Sequence, residues 1–99
     1  MQDDGVAQIA AERDRQRNRW SASHDAGHAR GELALAAACY AMPESHRRLR
    51  IINRDLYELL WPRDWDYRPH PTDRIRELTK AGALIAAEID RLLQPVISA

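Results

Sequence analysis

The sequence predicts an all-α protein, a small bundle of three or four helices with an aromatic, proline-containing loop before the last helix. Two observations carry this prediction. Apolar residues recur at spacings of three and four over most of the chain, and prolines fall between the periodic stretches. The length of 99 residues fits one domain, residues 1–99, with a single small core.

The first two helices are predicted over residues 4–19 and 26–41. The apolar stripe of the first helix gives way to charged residues, so we expect this helix to pack by one end only. In the second helix, small residues follow a 3–4 spacing, which lets a neighbouring helix approach closely. Ser23 or Asp25 is expected to cap it.

The third helix is predicted over residues 46–60, and Trp61-Pro62 is expected to end it. An irregular loop follows over residues 63–70. Its rings, among them Trp65 and Tyr67, are expected to pack, because an aromatic side chain carries about 150–250 Å² of surface.

The last helix gives the strongest periodic pattern in the chain. Thr72 is its expected cap, Asp73 suits its first turn, and Pro95 follows its end. We expect it to pair antiparallel with the second helix, and Gly82 to mark a close helix contact. Its heptad-like seam consists of Ile75, Leu78, Gly82, Ile85, Ile89 and Leu92.

The composition narrows the class of partner. With 15 Lys and Arg against 15 Asp and Glu, no basic excess indicates a nucleic-acid ligand. Cys39 is the only cysteine, which rules out an intrachain disulfide and fits a reducing compartment. No apolar stretch approaches the length of about 18 residues typical of a membrane span. We therefore expect a cytoplasmic protein without a membrane partner.

A polar cluster at the head of the second helix is the main candidate site. It combines Trp20, His24, Asp25 and His28, with Glu32 four residues further on. Such groups need partners when buried. Backbone N–H groups at a helix start favour an anion, so we expect a nucleotide-like ligand there. The plainer alternative is that Asp25 caps the helix and His28 hydrogen-bonds within its first turn.

The same cluster leaves a metal site open as an alternative. His24, His28 and Glu32 offer imidazole and carboxylate ligands for a divalent ion, as a metal-dependent nucleotide hydrolase would need. The paired carboxylates with which helical pyrophosphohydrolases hold magnesium are missing, however. We therefore expect a non-enzymatic protein with no catalytic residue and no cofactor.

Two tryptophans distant in sequence, Trp61 and Trp65, are expected to complete the pocket wall. Stacking of an indole on a base is worth about 1–3 kcal/mol. The alternative is that both rings form a lid on the core. The predicted ligand-binding residues are Trp20, His24, Asp25, His28, Glu32, Trp61 and Trp65.

Arginines crowd a short region between residues 47 and 54. A solvated face is the ordinary interpretation of such a run. A contact with an anion or with a partner protein is the sharper one. The residues are Arg47, Arg48, Arg50 and Arg54.

Several motifs together resemble a family of small helical proteins encoded by phages and prophages, mostly of unassigned function. In the first half they are residues 11–16, Trp20, His24-Asp25-x-x-His28 and residues 31–41. In the second half they are Trp61-Pro62, Trp65, Asp73-Arg74 and residues 80–92. The chain departs from the pattern in a basic stretch before Trp20, where a glycine is usual, and in residues 44–60.

The resemblance implies a viral accessory protein acting in the host bacterial cytoplasm. Small phage proteins of this kind often counter host defence. The ligand would then be a nucleotide-like signal that the protein sequesters, or the partner would be a host defence protein that it inhibits. The small core and the heptad-like seam also predict a homodimer or a higher homo-oligomer.

Overall fold

A computed structural model describes residues 4–19, 31–63, 65 and 73–94. Within these residues the protein is mostly α-helical, with one two-stranded antiparallel hairpin, and the predicted all-α class is confirmed. The elements are α1 (Gly5–Arg19), α2 (Glu32–Ala41), α3 (Glu44–Arg47), β1 (Arg50–Ile51), β2 (Arg54–Asp55), α4 (Leu56–Leu60) and α5 (Arg74–Leu93).

The long helix α5 organises the fold, and it packs antiparallel to α2 as predicted. Arg74 at the start of α5 donates hydrogen bonds to carbonyl groups at the end of α2, among them those of Tyr40 and Met42. Near the other end of α5, Arg91 is close enough to Glu32 at the start of α2 for the two charges to interact.

The cap of α5 lies one residue later than predicted. The carboxylate of Asp73 accepts a hydrogen bond from the backbone N–H of Arg76 at 2.8 Å, so Asp73 is the cap rather than a first-turn residue. Thr72 lies outside the described residues. The helix ends at Leu93, and Gln94 is extended, as the residue before a proline prefers.

Helix α1 crosses α5 at Gly82, where the close contact predicted at this glycine is confirmed. A Cβ atom built at residue 82 would lie 2.5 Å from Cδ1 of Ile9. The absence of a side chain at residue 82 therefore allows Ile9 to pack against the α5 backbone.

At the start of α1, the Asp4 carboxylate accepts a hydrogen bond from the backbone N–H of Ala7 at 2.9 Å.

The prediction that α1 packs only by its apolar end is wrong. Glu12 and Arg13 are buried, and Arg13 and Arg17 each place a guanidinium nitrogen 3.0 Å from Oδ2 of Asp90. Arginine can cover apolar surface with its stem while its charged head is paired, which is why a charged half-helix packs here.

The core is built mainly from small side chains. Leu33, Tyr40, Trp61 and Leu84 are its large members. The small residues of α2 and α5 let the two helices approach closely, as the alanine-rich pattern of α2 predicted. These small residues are Ala36, Ala37, Cys39, Ala81 and Ala87.

The single helix predicted over residues 46–60 is wrong. The segment forms α3, the β1–β2 hairpin and α4, and β1 pairs with β2 through Arg50 with Asp55 and Ile51 with Arg54. Consecutive β-branched residues disfavour a helix, and Asn53 directly after them favours a turn. Helix α4 ends at Leu60, directly before Trp61-Pro62, as predicted.

Helix α2 is shorter than predicted. It begins at Glu32, and Gly31 directly before it has a φ of 86°, a left-handed conformation that glycine adopts readily. A helix running continuously over residues 26–41 is therefore wrong. The residue at the cap position of α2 is Gly31, so Asp25 and Ser23 are too distant in sequence to cap this helix.

Candidate functional site

The predicted pocket falls only in part on the described residues. Glu32, Trp61 and Trp65 belong to the described residues. The remaining members, which lie outside the described residues and stay predictions, are Trp20, His24, Asp25 and His28.

Glu32 opens α2, but helical spacing does not connect it to His28. The left-handed Gly31 lies between them, so the two residues are not one turn apart on a continuous helix. The pKa of the Arg91 guanidinium is raised, first by a hydrogen bond to Glu88 at 2.5 Å and more weakly by the charge of Glu32. Glu32 thus belongs to a group of charges between α2 and α5.

The two tryptophans lie together in a cluster of four rings, which we call the aromatic cluster. Trp61 is at its centre: it meets Tyr40 edge-on at 5.9 Å between ring centroids and stacks on Tyr57 at 6.1 Å. Trp65 meets Trp61 edge-on at 5.3 Å. Such pairs add about 0.5–1.5 kcal/mol beyond their buried area.

Trp61 and Trp65 differ in what they can do. Trp61 is only 6% exposed and belongs to the core, so the prediction that it covers the core is confirmed for this ring. Trp65 packs against that core but is only partly buried. Of the two indoles, Trp65 is the one with surface available for a ligand.

Tyr40 places the aromatic cluster at the far end of α2 from Glu32. The two residues are eight positions apart, which corresponds to about 12 Å along a helix axis. Nζ of Lys80 lies 5.6 Å from the centroid of the Tyr40 ring, a cation–π distance. The ammonium group of Lys80 therefore lies beside the aromatic cluster, a position that the sequence did not predict.

The predicted arginine face divides into one structural residue and three surface residues. Arg47 points inward: its guanidinium donates to the carbonyl oxygens of Cys39 and Tyr40 at 3.1 Å and to the Glu77 carboxylate at 2.7 Å. It thereby satisfies backbone acceptors at the end of α2 that lack helical partners. Proximity to the end of α2 in sequence was the only signal for this role.

The remaining arginines surround the β1–β2 hairpin. Arg48, Arg50 and Arg54 are exposed. Arg48 pairs with Glu44 at 2.8 Å, and a guanidinium nitrogen of Arg50 donates to the backbone carbonyl of Asn53 at 2.9 Å. These three charges are on the surface, where a partner could meet them.

The turn of the hairpin is the most unusual local feature of the described chain. Ile52 has a φ of 62° and its side chain is 93% exposed. A β-branched residue in this left-handed region is an outlier, and turns of two-residue hairpins normally place glycine or asparagine there. Sequence reasoning missed this residue because the apolar spacing of the segment was interpreted as helical.

Cys39 is a buried thiol rather than a nucleophile. Burial raises its pKa to about 11, against the opposing effect of the nearby Arg47 charge. The sulfur lies 3.8 Å from the carbonyl oxygen of Tyr57, a weak hydrogen bond across the core. Cys39 is fully buried in the core.

Two further observations concern the described residues alone. Among residues 4–19, 31–63, 65 and 73–94, no three His, Cys, Asp or Glu side chains are grouped so as to hold a metal ion. In the same part of the chain, no helix combines the length and the apolar character needed to cross a membrane.

No protein-family model, curated protein or solved structure matches this chain.

Proposed function

We propose that this chain is a non-enzymatic binding protein that docks onto another protein through the hairpin tip, which we define as residues 49–54. The observation that carries the proposal is Ile52. Its left-handed backbone costs on the order of 1–2 kcal/mol for a residue with a Cβ atom. Because the Ile52 side chain is exposed, it also lacks the stabilisation of about 1.5–3 kcal/mol that burial would give. A partner pocket that accepts this side chain would recover the second amount.

The surroundings of Ile52 suggest the chemistry of that partner. Leu49 and Ile51 are also about half exposed, so the tip presents a small apolar knob. Arg50 and Arg54 flank it on the two strands. Arginine is enriched among the residues that dominate binding at interfaces, and an apolar centre with an arginine rim would fit an apolar pocket bordered by carboxylates.

The resemblance to phage proteins supports a partner from the bacterial host. A protein that counters a defence system without catalysis does so by occupying a surface or by sequestering a ligand. The arginine run between residues 47 and 54 was one of the two places where the sequence predicted a partner. We assign the contact to Arg48, Arg50 and Arg54, because Arg47 is occupied within the fold.

The test compares host proteins retained by three forms of the chain. Ile52→Gly removes the side chain and suits the positive φ, so we expect it to fold at least as stably. Val6→Ala is the matched control, because it also shortens an exposed aliphatic side chain, on α1. We expect at least one protein to be retained by the wild type and by Val6→Ala, and lost with Ile52→Gly.

A purified partner allows a quantitative version of this test. Loss of one buried isoleucine side chain should raise the dissociation constant about 10- to 100-fold. If retained proteins bind Ile52→Gly as tightly as the wild type, or if no retained protein depends on Ile52, the proposal is wrong.

A second candidate is the sequestration of a nucleotide-like signal. The partly buried Trp65, fixed edge-on against Trp61, favours it because one indole face could stack on a base. Lys80 beside the same aromatic cluster supplies positive charge for a phosphate. In the sequence-based version of this proposal, His24 and His28 hold the anion.

Thermal-shift measurements with cyclic nucleotides and ADP-ribose derivatives test the second candidate. Stabilisation that is lost with Trp65→Ala or His24→Ala but kept with Ile52→Gly would support it. No shift with any of these ligands would refute it and would leave the docking proposal unaffected.

A further inference from the structure

Helix α5 turns all but one of its large aliphatic side chains away from the protein. We call this surface the apolar stripe, and its side chains are between 46% and 74% exposed. The stripe consists of Ile75, Leu78, Ile85, Ile89, Leu92 and Leu93.

The buried sides of the same helix carry smaller groups. Ala81, Ala83 and Ala87 are each at most 3% exposed, and Leu84 is the one large aliphatic residue that α5 contributes to the core. A helix on the surface of a globular protein ordinarily does the opposite and faces its apolar stripe inward. Exposed apolar side chains grouped along one helix are a common feature of interaction sites.

We propose that the apolar stripe is covered by the apolar stripe of a second copy of this chain, forming a two-fold dimer. Five of the six positions of a heptad seam from Ile75 to Leu92 belong to the stripe, and this seam spans about 27 Å of helix. The sixth position is Gly82, against which Ile9 of α1 packs. Helices with this spacing pack best against an equally spaced partner. A two-fold pair brings together two identical seams, so one surface is sufficient for both sides of the interface.

The charges around the stripe permit such a pair. No charged residue belongs to the stripe itself. Among its charged neighbours on α5, Arg74 is held by carbonyl groups at the end of α2, and Glu88 is paired with Arg91 at 2.5 Å. The chain has a formal net charge of zero, so two copies do not repel one another as a whole.

The area of the stripe indicates a reversible dimer. Added together, the exposed fractions of its six residues equal about three and a half fully exposed side chains. This corresponds to roughly 200–400 Å² of apolar surface on each copy. Two copies would bury about 400–800 Å² from these side chains, against about 1,200–2,000 Å² in specific interfaces. Interfaces smaller than this range are those of weak and transient associations.

The experiment measures the mass of the full chain by sedimentation over a roughly 100-fold range of concentration. We expect the wild type to shift from one to two chains as concentration rises. Ile89→Glu places a charge in the stripe and should remain a single chain throughout. Ile51→Glu is the matched control in the hairpin, since the two isoleucines are 51% and 47% exposed, and it should dimerise like the wild type.

Circular dichroism of each variant shows whether it is folded, and dilution of the wild type needs no variant at all. A wild type that remains monomeric over the whole range overturns the proposal. A dimer that survives Ile89→Glu overturns the assignment to this face, and an assembly larger than two overturns the two-fold pair. Failure of the hairpin tip to bind a host protein would leave all of these results unchanged.

Discussion

Substituting alanine for Gly82 tests how closely α1 packs on α5. The new Cβ atom would lie 2.5 Å from Cδ1, 2.8 Å from Cγ1 and 3.3 Å from Cγ2 of Ile9. The first two distances are well inside van der Waals contact. Ile9 cannot turn away cheaply, because a β-branched side chain on a helix has one strongly preferred χ1 rotamer. Either Ile9 leaves that rotamer or the two helices separate.

Two opposing effects set the size of the change. Alanine is favoured over glycine in a helix interior by about 1 kcal/mol. Overpacking of this kind costs about 1–3 kcal/mol. We therefore expect Gly82→Ala to lower the free energy of unfolding by about 0–2 kcal/mol. In an Ile9→Ala background all three contacting atoms are absent, and the same substitution should raise it by about 1 kcal/mol.

Four proteins are compared: the wild type, Gly82→Ala, Ile9→Ala and the double variant. Urea unfolding at one protein concentration, followed by circular dichroism, measures the effect of each substitution on the free energy of unfolding and the coupling between the two. Val6→Ala provides the control background, because it shortens an exposed side chain on α1 and leaves Ile9 in place. Gly82→Ala should remain unfavourable there. If Gly82→Ala has the same effect with isoleucine and with alanine at residue 9, the contact does not determine the helix spacing and the reasoning is wrong.

Three further predictions concern the polar groups of the fold. Arg47→Met leaves the buried carboxylate of Glu77 without its closest partner and should lower the free energy of unfolding by about 3 kcal/mol. The matched variant Arg48→Met removes an exposed pair and should change it by less than about 1 kcal/mol. Urea unfolding measures both changes. The hydrogen bond from Arg13 is the main cause that lowers the pKa of Asp90, so its stabilisation is complete above about pH 4 and is lost as the pH falls through the lowered pKa. Asp90→Asn should therefore be less stable than the wild type at neutral pH and equal to it in strong acid. Burial raises the pKa of Cys39 to about 11, so a thiol reagent at neutral pH should label it only as fast as the protein unfolds, and rapid labelling of the folded protein would contradict this.

The helices were predictable where one periodic pattern extends over many turns. Helices α1 and α5, and the C-terminal end of α2, agree with the sequence to within about two residues. The segment of residues 46–60 was not predictable in the same way, because its apolar residues fit a helical spacing although several of them are exposed. The choice between helix and hairpin there depends on the consecutive Ile51 and Ile52 and on Asn53, a local effect that the spacing does not record.

The direction in which α5 faces was also beyond the sequence. The heptad spacing identifies which residues share a face, but not whether that face meets the same chain or another surface. Alanine and Gly82 on the remaining sides allow α1 and α2 to pack closely there. Contacts between residues distant in sequence, such as Arg13 with Asp90, then fix the arrangement. No local pattern encodes contacts of this kind.

For the candidate site, residue type was a better guide than position. A lid on the core, one of the two alternatives that the sequence left open for the tryptophans, is confirmed for Trp61, and three of the four arginines in the run are exposed. It could not tell that Arg47 is structural while its neighbour Arg48 is exposed, because both lie in the same run. The difference arises from α3, whose single turn directs Arg47 towards the end of α2.

The alanine core and the apolar stripe of α5 have a joint consequence for stability. Each buried alanine removes less apolar area from water than a leucine would, and folded proteins are only marginally stable. In the proposed dimer, burial of the stripe would add to the stability that the core provides, and mass action would couple folding to association. The thermal midpoint of the wild type should therefore rise with protein concentration, while that of Ile89→Glu should not. A wild-type midpoint that is independent of concentration, measured where sedimentation shows dimers, would mean that the stripe contributes nothing to folding.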